Sequence, residues 1–244
     1  QAFGVVGGGE GNDILSSSYG TVGGGGVNII SASNYSTIAG GTNNEIKSLN
    51  LALSGWGIIG GGECNFITNT CYATIGGGCA NIISGSATSC NHVIAGGSNN
   101  EIVVTDGNQP NASVSTIGGG YNNCITHGGS VIAGGTNHTV SAYQGVVVGG
   151  DTNTVSGCYG FIGAGRLNTV AGHCGFIGSG CNNTICSGET FATIGGGGQN
   201  RVDGDYSVVV GGALNCNDKY STFISVFSSW SLITISIFFK SFFN

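Results

Sequence analysis

The apolar residues of this chain recur in a nine-residue phrase rather than along a helical stripe. The phrase runs Ile or Val, one variable position, two glycines, two variable positions, Asn, one more residue, and Ile or Val again, as in IGGGCANII (75–83) and IAGGSNNEI (94–102). It returns thirteen times, most often at intervals of 15 to 17 residues. Its asparagine column consists of Asn12, Asn28, Asn44, Asn65, Asn81, Asn100, Asn123, Asn153, Asn168, Asn183, Asn200 and Asn215, with His138 as the single substitution. A period this short, built on glycine and β-branched residues, predicts coils that bury an apolar face only against their neighbours. The expected fold is all-β: a parallel β-solenoid of about 13 coils of 15–16 residues, with a few edge-loop insertions.

Each column carries its own expectation. The second glycine of the phrase is invariant, whereas the first is replaced by Ala164 and Ser179, so the invariant position is predicted to have positive φ or to meet another backbone closely. The two Ile/Val columns read as core. Two places before the opening Ile/Val the residue is small in twelve copies, with His92 the exception, which predicts a narrow interior. Read as strand, the alternate positions point outward, and three places before the Ile/Val stand Phe3, Tyr19, Tyr35, Trp56, Tyr72, Tyr159, Phe191 and Tyr206. Such a ladder exceeds the scattered apolar surface of a soluble monomer and suggests a subunit interface, with a binding face or plain strand propensity as the alternatives. Asparagines stacked one coil apart are expected to bond up and down the stack and to turn backbone, a structural ladder.

Composition narrows the partners. Net charge is −6, and Lys47, Arg166, Arg201, Lys219 and Lys240 form no cluster, so nucleic-acid binding is not expected. Ten cysteines and the candidate glycosylation sequons at Asn34, Asn111, Asn137 and Asn182 suit an extracellular, cell-surface or virion-surface setting. Cys158 with Cys174, or Cys64 with Cys79, are candidate bridges between neighbouring coils. Gln1 leads almost directly into a repeat, with neither initiator methionine nor signal peptide before it, which suggests a processed form or fragment.

Two departures from the period stand out. The longer coils insert residues 47–55, 84–90 and 103–113, all between the second core column and the aromatic column, and such one-sided insertions suit either recognition of a glycan or host surface or simple tolerance of added residues at an exposed edge. The solenoid is expected over residues 1–220. Residues 221–244 form an apolar segment whose Ile233, Ile235, Ile237 and Phe239 alternate with other residues. That segment reads as a capping or inter-subunit strand, as a membrane anchor or removable lipid-anchor signal, or as a mis-assigned chain end.

Catalytic chemistry finds little support. The GGG runs lack a following GKS/GKT helix, the carboxylates are dispersed except for Arg201, Asp203 and Asp205, and His92, His127, His138 and His173 share no ligand spacing. No catalytic, cofactor-binding or metal residue is assigned, and no cofactor is expected. At the level of YATIGGGCANIISG (72–85) and YGFIGAGRLNTVAG (159–172), the repeats resemble the head repeats of YadA-like trimeric autotransporter adhesins and the Gly-Asn repeats of bacterial and viral fibres, over residues 3–217. The resemblance implies a left-handed parallel β-roll with two short strands per coil, and in the adhesins three rolls side by side. The function expected is non-enzymatic and structural: a rigid, self-associating extracellular rod, as surface fibre, filament subunit or adhesin stem. The alternative is a binding module, taking glycans through the edge loops or ice through the outward Thr/Val face at Thr21, Thr37, Thr74, Thr116 and Thr193.

Overall fold

A computed structural model describes residues 3–48, 55–86, 89–104, 114–218, 220 and 223–224. Every element in them is a strand, two to four residues long, and successive strands alternate between two parallel sheets of 14 and 13 strands. The chain is a parallel β-solenoid. Each strand pairs with its equivalent one coil away, so Val22 lies beside Ile38 and Ile30 beside Ile46. Strands of two residues are too short to stand alone, and their order comes from stacking.

The core is the seam between the sheets. The opening Ile/Val column faces inward from the first sheet and the Ile/Val after the asparagine from the second; from Val22 onward nearly all are fully buried. Asn217 fills the second column in the last coil and is also buried. The small column lies directly across from the second sheet's branched side chains. A Cβ added at Gly57 would sit 2.9 Å from Ile46 Cγ2, and one at Gly145 would sit 2.7 Å from Val140 Cγ1. The narrow interior therefore follows from one sheet's branched side chains resting on the other sheet's glycine and serine.

Strands end where the backbone turns left-handed. The residue before each ladder asparagine has φ near +55°, even at Val27, Thr152 and Leu167, and asparagine, which tolerates this region, holds five of these positions. The aromatic column shows the same conformation, with Tyr19 at 58° and Trp56 at 59°. This corrects its reading as strand: the rings point outward, but from a corner of the coil. The first sheet also runs past the expected limit of the repeat, since Phe223–Ile224 pairs in register with Val208–Val209. The rest of 221–244, including its alternating isoleucines, lies outside the described residues.

Candidate functional site

The invariant glycine column has both features its sequence demands. Its φ lies between 88° and 107° in all thirteen coils, and at most of them a Cβ would stand 2.0–2.2 Å from the carbonyl oxygen of the glycine one coil on. The preceding column is more permissive: at Gly96, Gly134 and Gly149 a Cβ would meet nothing within 4 Å.

That glycine turn frames the asparagine ladder. Asn81 shows the arrangement: its N–H donates to Asn65 Oδ1 at 3.1 Å, and its Nδ2 reaches Asn65 Oδ1, Gly77 O and Gly97 O at 3.1, 3.0 and 2.9 Å. Two amide hydrogens serve three acceptors, so one is shared. The same bonds recur at Asn28, Asn44, Asn65, Asn100, Asn123, Asn168, Asn183 and Asn200. At the ends, Asn12 Nδ2 bonds Gly8 O and Gly25 O, and Asn215 bonds Asn200 Oδ1 and Gly211 O.

His138 interrupts the ladder. Its N–H donates to Asn123 Oδ1 and its Nδ1 accepts the Asn153 N–H, each as an asparagine would, but Nε2 is buried without a hydrogen-bond partner. Asn153 Nδ2 keeps its bonds to Gly149 O and Gly165 O. Burial holds the His138 imidazole below its ordinary pKa. His92, in the small-residue column, is also fully buried: Nδ1 accepts the Ser115 N–H at 3.1 Å and Nε2 meets Ser89 Oγ. Burial lowers its pKa to about 4. His127 is half-buried and His173 exposed, so the four histidines do not converge.

The aromatic column forms stacks. Phe3, Tyr19, Tyr35, Trp56 and Tyr72 lie face to face with centroids 4.8–5.5 Å apart, and Phe191 stacks on Tyr206 at 5.4 Å. A ring stacked on both faces shows solvent only its edge. Tyr159 is reached edge-on by Tyr143 at 6.0 Å.

Cysteine pairing is decided by column. Cys71 and Cys90 occupy one position in adjacent coils, pair as a parallel bridge with Cα atoms 4.7 Å apart, and form a disulfide. The pairs expected from sequence are not joined: Cys64, Cys79, Cys158 and Cys174 are free thiols. Cys64 and Cys174 stand at left-handed corners, one column from Cys79 and Cys158, so near-spacing in sequence did not bring them into register.

The charged patch separates. Arg201 forms a bidentate pair with Asp203 at 2.7 and 2.9 Å, which holds the Asp203 carboxyl below its ordinary pKa. Asp205 instead accepts the Thr190 N–H and Oγ1 at a coil edge. Burial, then Asp203, pushes the neighbouring Cys186 thiol up to about 11, which makes it a protonated donor rather than a nucleophile. Among the described residues no group of three or more His, Cys, Asp and Glu side chains is placed to hold a metal ion.

Of the sequons, Asn137 and Asn182 are exposed left-handed corners. Their N-x-T pattern arises from three repeat columns read in order: corner, ladder, strand. Asn137 Oδ1 accepts from Asn122 Nδ2 at 2.8 Å. Asn34 is half-buried with Oδ1 on the Ser18 N–H, and Asn111 lies outside the described residues, as does most of the 47–55 and 103–113 insertions.

Fold and surfaces together define a repeat solenoid of stacked ladders. No family model matches the chain, and no curated protein is found similar to it.

Proposed function

We propose that this protein is a non-enzymatic structural rod of the extracellular or cell-surface space, a fibre or filament subunit that associates with its own kind. The observation that supports this reading is continuity. Both sheets and the turn bridges run from coil to coil through the described residues, and the asparagine ladder does so with His138 as its one interruption, so bending the solenoid would break several bonds in each coil at once. Thirteen coils at ~4.8 Å each give a rod about 60 Å long. Small-angle scattering and circular dichroism on the purified chain test it: an elongated, strand-rich particle is expected, and a compact, helix-rich one overturns the reading.

One observation favours a binding role as second reading. The outward threonine column of the first sheet is broken by Ile58, Val93, Val131, Val146, Phe161 and Phe176, but on the second sheet Thr139, Thr154, Thr169 and Thr184 are consecutive neighbours. This is a regular row of hydroxyls suited to ordered water or a glycan. An ice-recrystallisation assay and a glycan array address it, and inactivity in both removes it.

A further inference from the structure

The two broad faces of the solenoid differ in a way that the repeat does not require. On the second sheet, five outward strand positions are charged (Asp13, Glu45, Lys47, Glu101 and Arg201), and Asp203 and Asp218 follow directly after its strands. On the first sheet none is, among the described residues. The outward position before each opening Ile/Val is Thr, Val, Ile or Phe, and the one after it is Gly, Ala or Val, exposed or half-exposed throughout. The other described charges lie along the two edges, as at Glu63, Asp151, Arg166 and Asp205.

We infer that the outer face of the first sheet is a pairing surface for a second copy of this chain, laid face to face along the rod. The inference rests on the rod reading above and names its partner. Strands stacked at ~4.8 Å over thirteen coils, with two outward columns spanning about 10 Å, make a flat strip of about 600 Å². The strip is uncharged rather than wholly apolar, with Thr at five of its thirteen tall positions, and its size is at the upper limit for a patch left bare on a monomer. Covering it on two copies buries about 1,200 Å², the lower bound of a specific interface. A second copy is also a partner with the same rise per coil and the same lack of charge across its whole length.

Shape selects the symmetry. The column before the core residue is tall and the column after it short, since it holds Gly or Ala in all coils but two. A two-fold axis along the rod lays the tall column of one copy over the short column of the other, coil for coil. The residues match that pairing. Ile58, Phe161 and Phe176, the bulkiest in the tall column, stand in coils whose short residue is Gly60, Gly163 or Gly178. The valines of the short column, Val148 and Val210, stand in coils whose tall residue is also valine. At Phe161 and Phe176, which stack at 5.1 Å, the ring edges lie over their own Gly163 and Gly178, so these two coils present a level face and the tall-over-short fit is carried by the other coils.

Sedimentation equilibrium on the full chain tests the proposal, with circular dichroism to show that each variant keeps its fold. The native chain is expected to be a dimer. Val146→Lys and, separately, Val148→Glu should each weaken it at least tenfold, because each buries an unpaired charge at the junction. Mixing the two variants should restore a heterodimer, since the axis sets position 146 of one copy against position 148 of the other. Thr154→Lys on the second sheet should leave the dimer unchanged. A native chain that is rod-shaped but monomeric at tens of micromolar overturns the pairing and leaves the rod reading standing. Assembly indifferent to the first-sheet charges, as expected if residues 221–244 drive it, or weakened equally by Thr154→Lys, also overturns the pairing.

Discussion

At Gly97 a methyl group has no room: φ is 89°, and a Cβ would fall 2.2 Å from Gly120 O, while at Gly96 it would meet nothing. Gly97→Ala should therefore destabilise by about 3 kcal/mol or more, and Gly96→Ala should stay within about 1 kcal/mol of the native chain. Thermal melting of the two variants side by side checks this, and similar losses at both positions would contradict it. The buried histidines make the second argument at this scale. His92 and His138 each use Nδ1 to accept a backbone N–H of the next coil, which requires the neutral ring. For His92 the folded pKa of about 4 lies below the unfolded value of 6.5, so the unfolded chain binds more protons between them. Its stabilising contribution is complete above pH 6.5 and is lost as pH falls towards 4, by an amount on the order of 3 kcal/mol. His138 acts in the same direction. Melting temperature should fall over that window, and His138→Asn, which supplies Nδ2 to the acceptors that Nε2 leaves unserved, should raise stability by about 1 kcal/mol at neutral pH and flatten the fall.

Between elements, register is the controlling variable. Parallel strands in exact sequence order bring only equivalent positions together, so Cys71 finds Cys90 across 19 residues, while Cys158 and Cys174, 16 apart in a region of regular coils, miss by one column. Peptide mapping under non-reducing conditions should recover a Cys71–Cys90 linkage. Cys71→Ser should cost about 3 kcal/mol by the loop-closure argument, or less where the neighbouring coils already confine both ends. A Cys158–Cys174 linkage would show a register different from that described. The aromatic corners follow the same rule. The stack from Phe3 to Tyr72 stops where the column passes to Asn91 and Val114 and resumes as a shorter stack at Phe191.

The whole molecule is an axis with unlike sides, and that asymmetry fixes what scattering should show. A pair formed through the uncharged first sheet keeps a length of about 60 Å and thickens in cross-section, because sheets pack about 10 Å apart and the rods lie side by side. Junctions at the rod ends would double the length at constant cross-section. Length and cross-sectional radius from one scattering curve thus separate lateral from axial assembly, and a doubled length would count against the lateral pair. Salt provides a second contrast, since an uncharged interface should hold or tighten at high ionic strength, where charge-driven contacts weaken.

What the sequence determined is whatever recurs once per coil. The period, the two core columns, the narrow interior, the glycine that admits no substitution and the asparagine ladder were all legible, because in a stack each residue's main neighbour is its own equivalent, and thirteen copies sample the same environment. The tertiary structure decided what depends on the path between those columns. It set the aromatic column at a left-handed corner, since Tyr, Phe and Trp favour strands by propensity and only backbone geometry shows the turn. It chose Cys71 and Cys90, because insertions such as 84–90 shift sequence spacing without shifting register. It carried the first sheet on to Phe223–Ile224, where the glycine phrase has already ended. It also assigned each outward position to one of two faces, and only then does the dispersal of charge in the sequence become a segregation in space. Strand alternation says in or out, but which sheet a residue belongs to is fixed by the corners of the coil.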